Sequence, residues 1–188
     1  MGLFGFGKSK IDKRKEDWII ESTHWYDKGN ALAKLGKDEE AIECYDKSVS
    51  LDSTNWRAWS NKGDALAKLG KNEETIVCYT QAIRLNPEDL SAWSNKGNEL
   101  AKLGKDEEAI ECYNQVFRFN SKDRKAWFNR GNSLANLKKF EEAITCFDKV
   151  IEKNPEYPSA LRYKGMSLKK LGMDEEAEHY FTKDKKLV

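Results

Sequence analysis

The segment WSNKGDALAKLGKNEETIVCY, residues 59–79, decides the fold, because it returns almost unchanged as WSNKGNELAKLGKDEEAIECY at residues 93–113. The two copies are identical at 16 of 21 positions and lie 34 residues apart. Self-similarity at one fixed interval of this length is typical of proteins built from stacked structural units. The segment therefore predicts a repeat architecture, and the rest of the chain can be aligned to the same period.

The period extends outward in both directions from this segment. One glycine recurs at the same place in every unit: Gly29, Gly63, Gly97, Gly131 and Gly165. Four residues before each glycine stands a large apolar residue: Trp25, Trp59, Trp93, Trp127 and Leu161. An aromatic residue follows sixteen residues after each glycine: Tyr45, Tyr79, Tyr113, Phe147 and Phe181. The chain thus contains five units, of which the last is three residues short: 22–55, 56–89, 90–123, 124–157 and 158–188.

Each unit is interpreted as two helices. In the second unit Trp59, Gly63, Leu66 and Leu69 follow one another at helical spacing and form one apolar stripe. Gly70 follows the stripe and is suited to the left-handed residue that ends many helices. Four other residues occupy the same place in the other units: Gly36, Gly104, Lys138 and Gly172.

The second helix of each unit begins with a polar residue followed by acidic residues. We expect this polar residue to cap the helix, since Asp and Asn accept hydrogen bonds from free backbone N–H groups there. The expected caps are Asp38, Asn72, Asp106 and Asp174. Pro87 and Pro155 indicate where two of these second helices have ended.

The glycine inside each first helix needs a physical reason. A glycine there costs about 1 kcal/mol relative to alanine. Since it recurs in all five units, we expect the second helix of the unit to approach too closely for a side chain.

These anchors resemble those of the tetratricopeptide repeat family, which has Trp, Gly, Leu, Gly, Ala, Tyr or Phe, and Pro at set positions of a 34-residue unit. The amino-acid sequence of the units is also similar to that of repeat proteins common in methanogenic archaea. The resemblance covers residues 22–188 and implies an all-α, right-handed α-α superhelix, a solenoid of five helix-turn-helix repeats. We expect one solenoid domain over residues 17–188 and a basic, flexible tail over residues 1–16.

The resemblance implies a concave groove lined by the first helices of the repeats. Asparagine in such a groove matches the backbone of an extended peptide, because its amide is both donor and acceptor. The groove positions hold eight basic and two acidic residues, which favours a peptide with carboxylates. The alternative is that these residues are only the solvated face of the repeat. The candidate groove residues are Asn30, Lys34, Arg57, Asn61, Asp64, Lys68, Asn95, Asn98, Lys102, Lys125, Asn129 and Asn132.

Some relatives bind chaperone tails through a carboxylate clamp, and this chain is not expected to. Its best window has Asn95 and Lys125 in place, but Ser60 and Asn129 stand where the clamp requires cations.

The cysteines do not predict a metal site. Cys44, Cys78, Cys112 and Cys146 stand one per unit, whereas zinc ligands usually come in pairs two to four residues apart. We expect buried thiols in a reducing compartment, the cytoplasm. No metal, no cofactor and no enzymatic activity are expected, since the two histidines lie in different units and no catalytic motif is present.

Composition narrows the functional classes further. The 188 residues are 39% hydrophobic and 35% charged, with mean hydropathy −0.82, and no apolar run is long enough for a membrane span. The formal net charge is +1, and the tail alone has five basic and two acidic residues. The repeats are therefore weakly acidic, and we expect no nucleic-acid partner.

The predicted function is a scaffold or adaptor for protein interactions, which binds an extended peptide or partner segment. An alternative is a self-assembling structural protein that polymerises through the solenoid ends, because Trp18, Ile19 and Ile20 precede the first unit. These three residues either lengthen the first helix of that unit or leave an exposed apolar end that can self-associate. Recruitment to membranes through the apolar residues Leu3, Phe4 and Phe6 and the basic tail is a further alternative, although membrane contact is not expected.

Overall fold

The fold is all-α. A computed structural model describes residues 10–185, and this part of the chain contains ten helices and no strand. The helices are α1 (Lys10–Lys34), α2 (Asp38–Leu51), α3 (Trp56–Lys68), α4 (Asn72–Leu85), α5 (Leu90–Lys102), α6 (Asp106–Phe119), α7 (Arg124–Asn136), α8 (Phe140–Lys153), α9 (Pro158–Lys170) and α10 (Asp174–Lys185). They confirm the predicted class and the two helices of each repeat. The contacts divide the chain after Pro87 into two compact units.

The first unit holds helices α1 to α4. Helix α1 packs against α2 and α3 packs against α4, while α2 also packs against α3. The buried cluster contains Ala41 and Tyr45 from α2 together with Ala58 and Ala65 from α3. The core of the first hairpin is therefore completed by the second hairpin, as stacked repeats require.

The second unit holds helices α5 to α10 and is built by the same rule. Each hairpin packs internally, α6 packs against α7, and α8 packs against α9. Leu134, Ala143 and Phe147 form a buried cluster, against which Ile110 of the preceding repeat also packs. The alanines are small enough to let neighbouring helices approach closely.

The turns inside the hairpins confirm the predicted helix ends. Gly36, Gly70, Gly104 and Gly172 have φ between 72° and 78°, in the left-handed region that glycine adopts without strain. In the fourth repeat Lys138 takes this conformation, with φ 61°. The chain reverses within three residues and returns along the helix that it has just left.

The glycine inside each first helix is explained by the aromatic residue of the second helix. A Cβ atom built on Gly63 would lie 2.7 Å from Cε1 of Tyr79, and one built on Gly29 would lie 2.6 Å from Cε1 of Tyr45. These distances are shorter than any ordinary carbon contact. The prediction of a close helix approach is confirmed, with the ring as the obstacle.

The predicted caps of the second helices are wrong. Asp38, Asn72, Asp106 and Asp174 are the first residues of their helices. The residue before α2, α4, α6 and α8 is a lysine whose side chain makes no capping hydrogen bond. The physical reason is that the Asp38 and Asp106 side chains bond to the next repeat. Lys68 Nζ lies 2.9 Å from Asp38 Oδ1, and Asn136 Nδ2 donates to Asp106 Oδ1 at 3.2 Å.

Side-chain caps occur on the first helices, where they were not predicted. Asn55, Asp89 and Asp123 are the residues that precede α3, α5 and α7. Each accepts a hydrogen bond from a backbone N–H group in the first turn of its helix. These caps fix where each repeat begins.

Helix α1 begins at Lys10, within the segment that the sequence assigns to the tail. No glycine or proline interrupts residues 10–28, and Lys, Arg and Glu favour helix. A helix anchored by packing against α2 can propagate through such a sequence at little cost. Trp18, Ile19 and Ile20 accordingly lengthen α1, and their side chains are 52%, 52% and 68% exposed. The predictions for residues 1–9 concern a segment outside the described residues.

Candidate peptide-binding face

The predicted groove residues lie on the first helices of the first four repeats, α1, α3, α5 and α7. The asparagines among them are half-buried. In the first unit Asn61 of α3 donates from Nδ2 to Oδ1 of Asn30 on α1, at 2.7 Å. The hydroxyl of Tyr45 on α2 donates to the same oxygen at 2.9 Å. The amide of Asn30 therefore joins three helices and fixes the register of the first two repeats.

The second unit repeats this arrangement with its own residues. Asn129 of α7 donates from Nδ2 to Oδ1 of Asn98 on α5 at 2.7 Å, and the Tyr113 hydroxyl donates to that oxygen at 3.0 Å. The same bonds at equivalent positions show that the repeat sequence itself encodes them. We call Asn30 with Asn61, and Asn98 with Asn129, the asparagine pairs.

The tyrosines of this network stay protonated at neutral pH. Burial raises the pKa of the Tyr45 hydroxyl to about 12, and burial also raises the pKa of Tyr113. A protonated phenol can always donate, so the asparagine oxygen keeps its two donors. Asp64 occupies the place of Asn30 in the second repeat and accepts from the Tyr79 hydroxyl at 2.6 Å.

The asparagine pairs leave hydrogen-bonding groups for a partner. The bonds found among the described residues use the oxygen of Asn30 and the nitrogen of Asn61. The Asn30 nitrogen and the Asn61 oxygen remain as a donor and an acceptor on neighbouring first helices. Such a pair can bond to the N–H and C=O groups of an extended chain.

The positive charge of this face is smaller than the sequence predicts. Lys68 pairs with Asp38, and Lys102 Nζ lies 2.6 Å from Oε1 of Glu99, a residue only 4% exposed. These two lysines compensate carboxylates of the protein itself. The sequence count missed them because Asp38 was assigned to a helix cap and Glu99 lies outside the groove positions.

Three predicted cations are exposed and form no ion pair among residues 10–185: Lys34, Arg57 and Lys125. The guanidinium of Arg57 stacks over the Trp56 ring at 4.3 Å, which orients it without neutralising its charge. Asn95 and Asn132, the other predicted residues of the second unit, are half-buried on α5 and α7.

The asparagine network is interrupted at the fourth repeat. Asn132 occupies the place of Asn98, but its Oδ1 atom is buried and has no hydrogen-bond partner. Phe147 stands where the other repeats have a tyrosine hydroxyl, and Tyr163 stands where the next repeat would supply an asparagine. Both donors are missing, and sequence reasoning did not notice this although the two substitutions are visible in the alignment.

An aromatic cluster replaces the network at this point. The Phe128 ring lies 5.6 Å from Tyr163 and 5.9 Å from Phe147, measured between centroids, and its contact with Tyr163 is edge to face. Tyr163 is 39% exposed and Met166 is 48% exposed. This end of the first-helix face in the second unit is therefore apolar.

The four cysteines are free and buried. Burial raises the pKa of the Cys78 and Cys112 thiols to about 11 and outweighs the opposing effects of Lys62 and Lys96. In the fourth repeat Arg130 Nη1 donates to Cys146 Sγ at 3.1 Å. The thiols of Cys78 and Cys112 are therefore packing groups, because the reactive thiolate is scarce at neutral pH when the pKa is raised.

Residues 10–185 contain neither a metal-binding cluster nor a membrane-spanning helix. No group of three or more His, Cys, Asp or Glu side chains is arranged to hold a metal ion. None of the helices in this range has both the length and the apolar character that a membrane span requires.

Comparison with family models identifies the repeat. Models described as Tetratricopeptide repeat match residues 56–89, 125–157 and 78–111, and a model described as TPR repeat matches residues 29–70 and 97–138. Together these matches run without a gap from residue 29 to residue 157. Comparison with the curated proteins gives no match.

Solved structures share the fold. A crystal structure of YrrB, described as a TPR protein with an unusual peptide-binding site, is 23% identical, covers 95% of this chain and 92% of its own, and has a TM-score of 0.84. MamA residues 41 to the end from Desulfovibrio magneticus RS-1 are 20% identical, with coverages of 89% and 94% and a TM-score of 0.84. At these identities the similarity shows the fold alone.

Proposed function

The chain belongs to the tetratricopeptide repeat family, and from this we propose that it is a scaffold or adaptor that binds an extended segment of a partner protein on its first-helix face. The family match establishes the repeat, while the partner and the binding face are our inference. YrrB, which has the same fold, is itself described as having a peptide-binding site.

The strongest support for this proposal comes from the asparagine pairs. In each unit the bonds found among the described residues use one amide oxygen and one amide nitrogen of the pair, which leaves the other nitrogen and oxygen as a donor and an acceptor on adjacent first helices. A solvated surface with no function needs no such order, because water satisfies asparagine in any orientation. A fixed donor and acceptor can bind any extended backbone regardless of its sequence.

Side chains around the pairs supply the selectivity in this proposal. Arg57 in the first unit and Lys125 in the second are exposed cations, so we infer a preference for segments with carboxylates. In the second unit the exposed Tyr163 and Met166 add an apolar surface for a large side chain of the ligand. The preferred ligand is thus an extended peptide with acidic residues and an apolar anchor.

The proposal includes no catalytic step, no cofactor and no nucleic-acid partner. We infer a cytoplasmic location, and the four free, buried cysteines support it because such thiols suit a reducing compartment. The assignment of residues 17–188 to one solenoid and the resemblance to archaeal repeat proteins both stay predictions.

A selection experiment tests the proposal. A display library of unstructured peptides is selected against the full chain, and the affinities of the enriched peptides are measured by fluorescence anisotropy. We expect enrichment of Asp and Glu around an apolar residue. The affinity should fall as salt rises, because the exposed cations are screened.

Two matched double variants show where the peptides bind. Arg57→Ser with Lys125→Ser removes one groove cation from each unit, and Lys71→Ser with Lys139→Ser removes one exposed cation from each unit at the hairpin turns. We expect the first pair to weaken binding about tenfold and the second to leave it unchanged. Equal effects of the two pairs would contradict the proposed face.

A second candidate function is self-association through the end of the chain. It is favoured by Trp18, Ile19 and Ile20, three consecutive large apolar side chains that are at least half exposed on α1. Static light scattering as a function of concentration tests it, and a constant monomer mass would exclude it.

A further inference from the structure

The N-terminal part of α1 continues a packing stripe beyond the helix that covers it. Trp25, Ser22 and Trp18 follow one another at helical spacing along α1. Ser22 is 1% exposed and donates from Oγ to the carbonyl oxygen of Ser48 near the end of α2, at 2.9 Å. Helix α2 ends at Leu51, so among residues 10–185 no helix covers the stripe at Trp18, which is 52% exposed. We call residues 13–21 the α1 extension.

The charges of the α1 extension are arranged so that two copies of it complement each other. Arg14 and Lys15 lie one helical turn before Trp18, and Glu21 lies almost one turn after it, all on the side of the helix that bears Trp18. If the α1 extension of a second copy runs antiparallel and crosses at Trp18, the Arg14 and Lys15 side chains of that copy lie beside Glu21 of the first copy. The arrangement is reciprocal, so two ion pairs flank two tryptophans. Parallel pairing would instead place like charges side by side.

We propose that the α1 extension is a homodimerisation site, in which two copies of the chain pair antiparallel about a twofold axis at Trp18. This inference rests on the second candidate function and specifies its geometry. A twofold contact uses the same patch on both copies and closes on itself. The proposed assembly is therefore a closed dimer rather than an open polymer of solenoid ends.

The dimer should be weak. A tryptophan buries about 150–250 Å², and the two isoleucines contribute part of their surface. The total remains below the roughly 1,200 Å² of a standard interface, which places the complex in the transient class. Its dissociation constant should therefore lie at about 10 μM or above.

Sedimentation velocity of the full chain from about 1 to 300 μM tests the proposal, a range chosen to bracket a micromolar constant. We expect a monomer–dimer equilibrium for the wild type. Trp18→Glu should weaken it at least about tenfold, because it removes the central contact. The matched control Val77→Glu alters another side chain that is about as exposed, 57%, on α4, and should change nothing. Circular dichroism confirms that each variant keeps its helices.

Charge reversal tests the antiparallel geometry without removing any apolar surface. Arg14→Glu and Glu21→Arg should each weaken the dimer, and the double variant should recover most of the lost affinity. Failure of the double variant to recover would overturn the antiparallel arrangement.

The remaining outcomes separate this inference from the functions proposed above. Assemblies that keep growing with concentration would overturn the closed dimer but retain self-association. A monomer at every concentration would overturn both and leave the peptide-binding proposal untouched. Binding to vesicles of phosphatidylcholine and phosphatidylserine by a chain that stays monomeric, if lost in Trp18→Glu, would overturn the dimer in favour of a membrane surface.

Discussion

The third repeat, residues 90–123, and the fourth repeat, residues 124–157, have the same helices but differ in how their polar groups are satisfied. In the third repeat Asn98 Oδ1 accepts from Tyr113 and from Asn129. In the fourth repeat Asn132 Oδ1 is buried without a partner. A buried oxygen without a hydrogen bond costs about 1–3 kcal/mol.

The two repeats also differ in their turns. Gly104 has φ 73° in the third repeat, where glycine is unstrained, and Lys138 has φ 61° in the fourth. A residue with a side chain pays about 1–2 kcal/mol for this conformation. The fourth repeat thus has a second local cost that its neighbour avoids.

A third difference concerns the residue that the second helix of each repeat offers to a cation of the following repeat. In the fourth repeat this residue is Asp148, which pairs with Lys164 of the fifth repeat. Arg130 of the fourth repeat has Asn114 at the equivalent place of the third, and its Nε is buried with no hydrogen bond. The comparison teaches that the repeat keeps its helices while its polar partners vary from one copy to the next.

Alkaline pH should produce the largest effect and should act on both repeats. Burial raises the pKa of Cys112 to about 11 and also raises the pKa of Cys146. A raised folded-state pKa gives stability that is complete below the unfolded value, near 9, and is lost as pH rises towards 11. The loss should be about 2 kcal/mol for Cys112, with a further loss for Cys146, and both are measured through the urea midpoint at pH 8 and pH 10.5.

Single alanine variants assign this loss to the thiols. Cys112→Ala and Cys146→Ala should each flatten the decline of the midpoint with pH, whatever their effect at pH 8. An unchanged slope in both variants would mean that the thiols ionise without unfolding the chain, contrary to their burial.

Alanine at the helical glycines should destabilise both repeats equally. A Cβ on Gly97 or Gly131 would lie 2.7 Å from Cε1 of Tyr113 or Phe147. The strain of overpacking exceeds the roughly 1 kcal/mol gained in helix propensity, so we expect a net loss of about 2 kcal/mol in thermal or urea unfolding. Combining Gly97→Ala with Tyr113→Leu should cost less than the sum of the two. Strict additivity would show that the ring is not the obstacle.

The fold could be predicted from the sequence because its determinants recur. Apolar anchors such as Trp59 and Leu66, and the turn glycine Gly70, are repeated in register, and each has one local physical meaning. The helix boundaries were predicted to within a few residues for the same reason. The wrong prediction at Asp38 shows the limit, since its carboxylate bonds to Lys68 of the next repeat rather than to its own helix.

The candidate face could be predicted only in part. Its positions follow from the family resemblance, but the bonds between Asn30, Asn61 and Tyr45 depend on three helices meeting at one point. The cation surplus was overestimated because net charge does not show which lysines are paired. The sequence did not decide whether the residues before the first repeat lengthen α1, because helix propensity near Lys10 does not reveal where the packing against α2 ends.

Glycine at the turn of the fourth repeat should remove its backbone strain. Lys138→Gly is expected to stabilise the chain by about 1 kcal/mol, because glycine adopts positive φ freely. Gly104→Lys is the reverse change in the third repeat and should cost about as much. Urea unfolding measures both. Lys138→Ala should give no gain, and a gain as large as that of glycine would attribute the effect to the lysine side chain instead.

A tyrosine in the fourth repeat should supply the hydrogen bond that Asn132 lacks. The Tyr113 hydroxyl lies 3.0 Å from Asn98 Oδ1 in the third repeat, so Phe147→Tyr should place a donor at the same distance from Asn132. We expect a gain of about 1 kcal/mol in the free energy of unfolding, and a similar loss for Tyr113→Phe. Adding Asn132→Ala should abolish the gain. If Phe147→Tyr stabilises the chain equally with and without Asn132, the new hydroxyl bonds elsewhere, and the two repeats differ in packing rather than in this hydrogen bond.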